Sequence, residues 1–211
     1  MKYPKSLLLI PALAALSLAS ADAAVVITGT SATATTFFAA VQSPTNLVNN
    51  SGLSVANSIT ATHTETSNAA DQWHSSGGVV DNESITISLG GSYDLENIYI
   101  WQANQTGLKN RGVNQFDLFY STDGGTNYTA WTQNLNLAIS PNTAAADLIS
   151  AQSFAFGVSG VTNVRIEIDS AHSGLANDYV GLSEVKFTAV PEPAAALLGG
   201  LGLLGLLRRR R

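Results

Sequence analysis

The sequence predicts an all-β fold for the middle of the chain, of the sandwich or jelly-roll type. Residues 84–89 alternate polar and apolar side chains, as a half-buried strand does. Residues 95–101 are rich in Ile, Tyr and Trp, which favour strands. Residues 123–125 read Asp-Gly-Gly, the composition of a tight hairpin turn, and no central segment keeps a helical period. Several short strands separated by Gly, Asn and Asp turns are typical of this fold class.

The predicted strands follow one another with short breaks. Gly90 and Gly91 interrupt the chain after the first of them. The alternating Phe116, Leu118 and Tyr120 define a strand with one buried face. The full predicted set is 84–89, 95–101, 116–120, 128–132, 153–156, 164–168 and 184–188.

The chain divides into three parts: residues 1–24, a single domain over 25–189, and residues 190–211. Charge is uneven, because the domain holds only four basic residues against more than a dozen acidic ones. Such an acidic domain repels nucleic acid, which we exclude as a partner. The chain has no cysteine, which excludes thiolate metal sites and cysteine nucleophiles.

Residues 1–24 have the three parts of a secretory signal peptide. Lys2 and Lys5 precede an apolar run of about thirteen residues, and small residues with an Ala-x-Ala pattern follow at 19–24. The run contains Pro11 and is too short to span about 30 Å of hydrocarbon. We therefore expect a cleaved signal helix and export across the inner membrane.

Residues 190–211 have the composition of a sorting tail, with a short motif, an apolar segment and a basic end. Pro191, Glu192 and Pro193 precede a small, apolar segment at 194–207, which predicts a transmembrane helix of marginal length. The chain ends with a basic cluster, which stays on the cytoplasmic side and leaves the domain outside. This cluster is Arg208, Arg209, Arg210 and Arg211.

This tail resembles the PEP-CTERM sorting signal of Gram-negative bacteria. The resemblance implies processing by an exosortase, membrane attachment before processing, and a final place at the cell surface or in the medium. It is typical of bacteria that make exopolysaccharide. An ordinary tail anchor is the alternative.

The central domain resembles the discoidin (coagulation factor type C) domains of the galactose-binding-like superfamily, over residues 30–187. The segments that carry the resemblance are 89–101, 112–131 and 161–187. Within the last of them, the most specific parts are the strand that contains Arg165 and the sequence Gly-Leu-Ser-Glu-Val at 181–185. It implies an eight-stranded jelly-roll sandwich. Asn49 and Asn50 stand where these domains carry Asp-Gly.

No catalytic constellation emerges, and we expect no enzyme. The motifs H-E-x-x-H and G-x-S-x-G are both missing from the sequence. His63, His74 and His172 are scattered, and we expect solvated loop histidines rather than a zinc site. Glu167 and Asp169 lie beside Arg165 on one strand, which indicates a surface ion-pair row rather than facing carboxylates.

Four residues are candidates for carbohydrate binding: Trp101, Asn104, Arg111 and Tyr179. An aromatic face stacks on the C–H groups of a sugar, while Asn and Arg bond its hydroxyls. In the resembling modules the loop after Trp101 contributes sugar contacts. The alternatives are that Trp101 belongs to the core and that Arg111 anchors its loop. Trp73 is expected in the core.

The resemblance also implies one structural calcium ion between the first long loop and the last strand. Asn46, Asn49, Asn50 and Ser51 offer oxygens, and Glu184 matches the family's ligand position. An Asn-rich turn with a solvent-facing glutamate is the alternative.

Two functions stay open at this point, with a glycan-processing enzyme a distant third. One is a module that binds extracellular or envelope polysaccharide. The other is a structural surface or biofilm matrix protein without a glycan site, because fold does not settle function.

Overall fold

The computed structural model describes residues 24–191 apart from residues 68, 79, 142–146 and 174–178. The predicted signal helix, the predicted C-terminal helix and the arginine cluster lie outside these residues. Within the described part of the chain, no helix is long and apolar enough to cross a membrane.

The described residues form ten strands and three short 3₁₀ helices. The 3₁₀ helices are Ala40–Gln42, Pro44–Val48 and Lys109–Arg111. The strands are β1 Val25–Thr28, β2 Ser31–Ala34, β3 Thr62–His63, β4 Trp73–His74, β5 Glu83–Gln102, β6 Val113–Ser121, β7 Thr129–Asn136, β8 Ile149–Ser150, β9 Gln152–Ala171 and β10 Gly181–Ala189.

Eight strands join one antiparallel sheet system, and two long strands run through both of its layers. The first half of β5 pairs with β2 and with the second half of β9, as in Ile85↔Ile166. Its second half pairs with β10 and with the first half of β9, as in Ile98↔Phe154. Strands β6 and β7 extend the first layer, while β1 and β4 pair with β10 in the second. The predicted all-β class is therefore confirmed.

One detail of the strand prediction is wrong. Gly90 and Gly91 do not end a strand, because β5 continues through them and only its pairing register shifts between Ser88 and Tyr93. Gly90 has a φ of 73°, a backbone conformation that glycine adopts without strain. The two strands predicted over 153–156 and 164–168 are likewise one strand, β9.

A single apolar core lies between the layers. Ile85, Ile87 and Leu89 of β5 point into it at alternate positions, as the sequence pattern predicts. Phe116 and Leu118 of β6 belong to the same core and are fully buried. Burial of each such side chain contributes about 1.5–3 kcal/mol. This core fixes the strand ends, and the loops at the start of β10 take their positions from it.

Candidate functional site

Three segments converge where β10 begins. Gly181 pairs with His74 of β4 and forms a parallel bridge with Gly112. Arg111 directly precedes Gly112, and Tyr179 lies two residues before Gly181. A Cβ atom at Gly181 would overlap the His74 ring, so the close approach of the two strands requires glycine there. The pairing therefore gathers Arg111, His74 and Tyr179 at one place.

Arg111 and Tyr179 stack on each other. The Arg111 Cζ lies 4.5 Å from the centroid of the Tyr179 ring, within the range of a cation–π contact. Both side chains are half-buried. Behind the ring, a Cβ at Gly77 would come within 3.0 Å of the Tyr179 hydroxyl, so the backbone of Gly77 packs against it. Two of the four predicted sugar-binding residues are thus adjacent.

Phe38 adds a second aromatic ring. It meets Tyr179 edge to face, with ring centroids 5.5 Å apart and planes at 81°. Its backbone N–H donates to the carbonyl oxygen of His74 at 2.9 Å, which ties this loop to β4. Phe38 is 55% exposed and its neighbour Phe37 is 48% exposed. We call the set Phe38, His74, Arg111 and Tyr179 the Arg111 surface.

His74 lies beneath this surface as an uncharged ring. Its side chain is buried, and its Nε2 has no hydrogen-bond partner among the described residues. Burial, together with the positive charge of Arg111, lowers the pKa of His74 to about 4. The imidazole is therefore neutral at neutral pH and adds no charge to the site.

Within the part of the domain that the structure describes, Arg111 differs from the other basic residues in having no acidic partner. Lys109 binds Glu65 and Asp147, Arg165 binds Glu167, and Lys186 binds Glu184, all at 2.7–2.9 Å. Among the residues that the structure describes, no carboxylate pairs with Arg111, and its Nε has no hydrogen-bond partner. Among these residues, the positive charge of Arg111 therefore lies against an aromatic ring with no carboxylate paired to it.

The other two predicted sugar contacts are wrong. Trp101 has none of its surface exposed, and its indole N–H donates to the carbonyl oxygen of Ala61 at 2.9 Å. Asn104 is also fully buried; its Nδ2 donates to the carbonyl oxygen of Asp147 at 2.8 Å. Both side chains point inward from the end of β5 and hold loops together. Trp73 lies in the core as predicted, with no exposed surface.

The predicted calcium ligands are engaged with each other. Asn46 is buried, and its Nδ2 donates to the carbonyl oxygens of Val41 and Gln72 at 2.8 and 2.9 Å. Its Oδ1 accepts a hydrogen bond from Asn49 Nδ2 at 3.0 Å. The Oδ1 of Asn49 accepts the backbone N–H of Ser51 at 2.8 Å. These amides hold the shape of their own loop.

Glu184 reaches the loop but meets a lysine there. Its carboxylate accepts the backbone N–H of Asn50 at 3.2 Å and Lys186 Nζ at 2.9 Å. Burial raises the pKa of Glu184 to about 7, against the opposing effect of the Lys186 hydrogen bond. No group of three or more acidic or histidine side chains in the described part of the chain is arranged to hold a metal. As arranged, these residues do not fit a calcium ion, and calcium binding stays a prediction.

The remaining candidates have structural roles. Arg165 pairs with Glu167 at 2.8 Å on a partly exposed face, as predicted, whereas no ion pair among the described residues joins Asp169 to Arg165. His63 and His74 are buried rather than solvated, so that expectation was wrong for both. A ring nitrogen of His63, Nδ1, bonds the carbonyl oxygen of Thr64 at 2.8 Å. The Nε2 of His172 bonds the carbonyl oxygen of Leu137 at 2.8 Å.

Phe38 and His74 were not predicted as members of the site. The pair Phe37-Phe38 carries a signal, since neighbouring residues of an extended chain point to opposite sides and both rings rarely find a core. No sequence signal indicates that His74 belongs to the site, because its position depends on the pairing of β4 with β10.

Comparison with known proteins identifies the tail. Residues 189–211 match the PEP-CTERM protein-sorting motif. Of this motif only residues 189–191 belong to the described part of the chain, and Glu192, Pro193 and the four arginines lie outside it. A search of curated protein sequences found no match.

Several solved structures are similar in fold. The family 89 glycoside hydrolase of Clostridium perfringens, in complex with GlcNAc-α-1,4-galactose, has a TM-score of 0.49 and 16% identity; the match covers 75% of this chain and 14% of that one. A CBM32 module from the same organism, in complex with GalNAc-β-1,3-galactose, has a TM-score of 0.47 and 17% identity, over 79% of this chain and 100% of that one.

A third structure is the family 32 carbohydrate-binding module of C. perfringens NanJ, in complex with galactose. Its TM-score is 0.46 and its identity 13%, over 75% of this chain and 92% of that one. Identities this low concern the fold alone. The chain thus carries a PEP-CTERM protein-sorting motif at residues 189–211, and its domain has an all-β antiparallel fold.

Proposed function

We propose that the exported domain binds carbohydrate, without catalysis, at the Arg111 surface. The observation that carries this proposal is an arginine that has no acidic partner among the described residues and stacks at 4.5 Å on a tyrosine beside an exposed phenylalanine. Aromatic rings receive the C–H patches of a sugar, and a guanidinium offers five N–H donors to its hydroxyls.

The stacking prepares Arg111 for this role. Contact with Tyr179 orients the planar guanidinium before a ligand arrives, so less side-chain freedom is lost on binding. The neutral His74 below adds no second positive charge to the site. An acidic residue in contact would instead occupy the donors that a hydroxyl needs.

The sorting motif supports a ligand outside the cytoplasm. Exosortase processing of the tail would release or display the domain at the surface of a Gram-negative cell. Extracellular or envelope polysaccharide is the ligand class present there, and we propose exopolysaccharide as the partner.

A glycan array with the exported protein tests the proposal. We expect millimolar to high micromolar dissociation constants, because shallow sugar sites displace well-bound water; about 1 mM corresponds to about −4 kcal/mol. Arg111→Ala should weaken binding at least about tenfold, since hydrogen bonds to a charged group contribute roughly 1.5–3 kcal/mol. Tyr179→Ala should act in the same direction.

Arg165→Ala is the matched control, because it removes the same charge from a residue that pairs with Glu167 and stacks on Tyr128. Its binding should equal that of the wild type. If neither the wild type nor the Arg165 variant retains any glycan, the domain is a structural matrix protein. Equal loss in both arginine variants would point to net charge rather than to this site.

A further inference from the structure

We propose that the Lys186 ammonium is the resident cation at the junction between the 46–53 loop and strand β10, in the place where the sequence resemblance implies calcium. The inference is independent of any ligand at the Arg111 surface. It rests on the contacts of a single buried side chain.

Lys186 lies in the middle of β10 with none of its side chain exposed. Its Nζ donates to Asn50 Oδ1 at 2.7 Å, to Glu184 Oε1 at 2.9 Å and to Thr28 Oγ1 at 3.3 Å. An ammonium group has three N–H donors, and three oxygens receive them. The shell around this cation is therefore complete.

The same oxygens are not free for a metal. Calcium requires six to eight oxygens at about 2.3–2.6 Å, and here one carboxylate, one amide and one hydroxyl already surround Nζ. Glu184 supplies at most one negative charge, and Lys186 already lies against it, so a divalent ion beside Lys186 would add an uncompensated buried charge. The arrangement selects lysine over calcium.

The contact joins three parts of the chain that are far apart in sequence. Thr28 belongs to β1, Asn50 to the loop and Glu184 to β10. Asn50 has a left-handed backbone, with φ at 65°, and bonds both partners: its N–H donates to Glu184 and its side-chain oxygen accepts from Lys186. This is the tie that a structural metal would provide.

The first test uses the unaltered full chain and needs no variant. Its thermal midpoint is measured with calcium chloride and with chelator, and calcium binding is followed by calorimetry. We expect the same midpoint in both solutions and no binding heat. A midpoint that rises with calcium and falls with chelator would overturn the proposal, because ligands of the native state stabilise it by mass action.

The second test is a double-mutant cycle on Lys186→Met and Glu184→Gln. Each single variant leaves a buried group unpaired and should lower the midpoint by roughly 10 °C. The double variant removes both charges and should be less destabilised than the two losses added together. If the two midpoint losses are additive, or if the midpoint of Lys186→Met equals that of the wild type, the assignment of Lys186 as the resident cation is wrong.

Discussion

Most of the buried polar side chains described in this domain have hydrogen-bond or ion-pair partners. Lys109 shows the rule, since its Nζ bonds Glu65 at 2.9 Å and Asp147 at 2.7 Å. The Nε of Arg111, the Nε2 of His74 and the Nε of Arg165 are among the atoms that depart from it, being buried without a hydrogen-bond partner among the described residues. An unsatisfied buried polar group costs about 1–3 kcal/mol. At the Arg111 surface two such groups lie together against aromatic rings, which is the reason to place function there.

The depressed pKa of His74 predicts a pH dependence of folding. The unfolded chain binds a proton near the ordinary value of 6.5, whereas the folded chain does so only near 4. Above pH 6.5 both states are neutral and the full stability is present. Between pH 6.5 and pH 4 only the unfolded state gains the proton, so this residue lowers the free energy of unfolding by up to about 3 kcal/mol.

Urea unfolding at pH 7.5 and pH 4.5 measures this effect in the wild type and in His74→Phe. The variant cannot take up the proton, so its stability should fall less over the same interval. The comparison cancels the other titrating groups, which both proteins share. The same loss of stability in both proteins would show that His74 has an ordinary pKa.

At the scale of elements, the sequence pattern predicts where strands occur better than it predicts the residues at which they begin and end. Alternation around Ile85 and around Phe116 reports which face is buried, and both segments are strands in the structure. The length of β5 could not be predicted, because Gly90 reads as a break although the strand bends there and continues. A local pattern does not report which partners a strand finds on either side of a bend.

Gly90 therefore has a testable role in bending β5. Its φ is 73°, and a Cβ there would press on the side chain of Thr30. Gly90→Ala should lower the free energy of unfolding by about 1–2 kcal/mol, from the strained backbone and the contact together. Chemical denaturation at fixed pH gives this value.

Gly107→Ala is the matched control, since Gly107 has a φ of 72° and no atom within 4 Å of the Cβ position. It carries the backbone strain without the contact, so it should destabilise less than Gly90→Ala. If the two variants lose equal stability, the Thr30 contact contributes nothing to the bend.

The candidate site shows the same limit of sequence patterns. Arg111 and Tyr179 were predicted and do meet, but Trp101 and Asn104 were predicted with them and face the core. Trp101 lies near the end of β5 and Asn104 follows that strand, as expected, whereas the direction of the Trp101 side chain follows from its pairing with Glu184. Lys186 was missed because a lysine in a strand is normally solvated, and only its partners Glu184 and Asn50 explain its burial.

For the whole molecule, the two ends of the domain lie side by side. Val25 at the start of β1 pairs with Ala189 at the end of β10. The backbone N–H of Val190 still donates to the carbonyl oxygen of Asp94 at 2.9 Å. The predicted signal peptide and the sorting motif therefore adjoin the same end of the β1–β10 pair, and cleavage before residue 25 and after residue 189 takes away no strand residue.

This arrangement predicts the product of processing. In the native host the mature protein should lack residues 1–21 and the arginine tail, with a chain that ends near Pro191. Intact-mass measurement of the envelope and medium fractions gives both ends. Because β1 and β10 stay whole, processed and unprocessed chains should unfold at the same midpoint. In a strain without the exosortase, the tail should persist and the protein should remain in the membrane fraction. A full-length C-terminus on the protein from the native envelope would contradict the sorting assignment, whatever the domain binds.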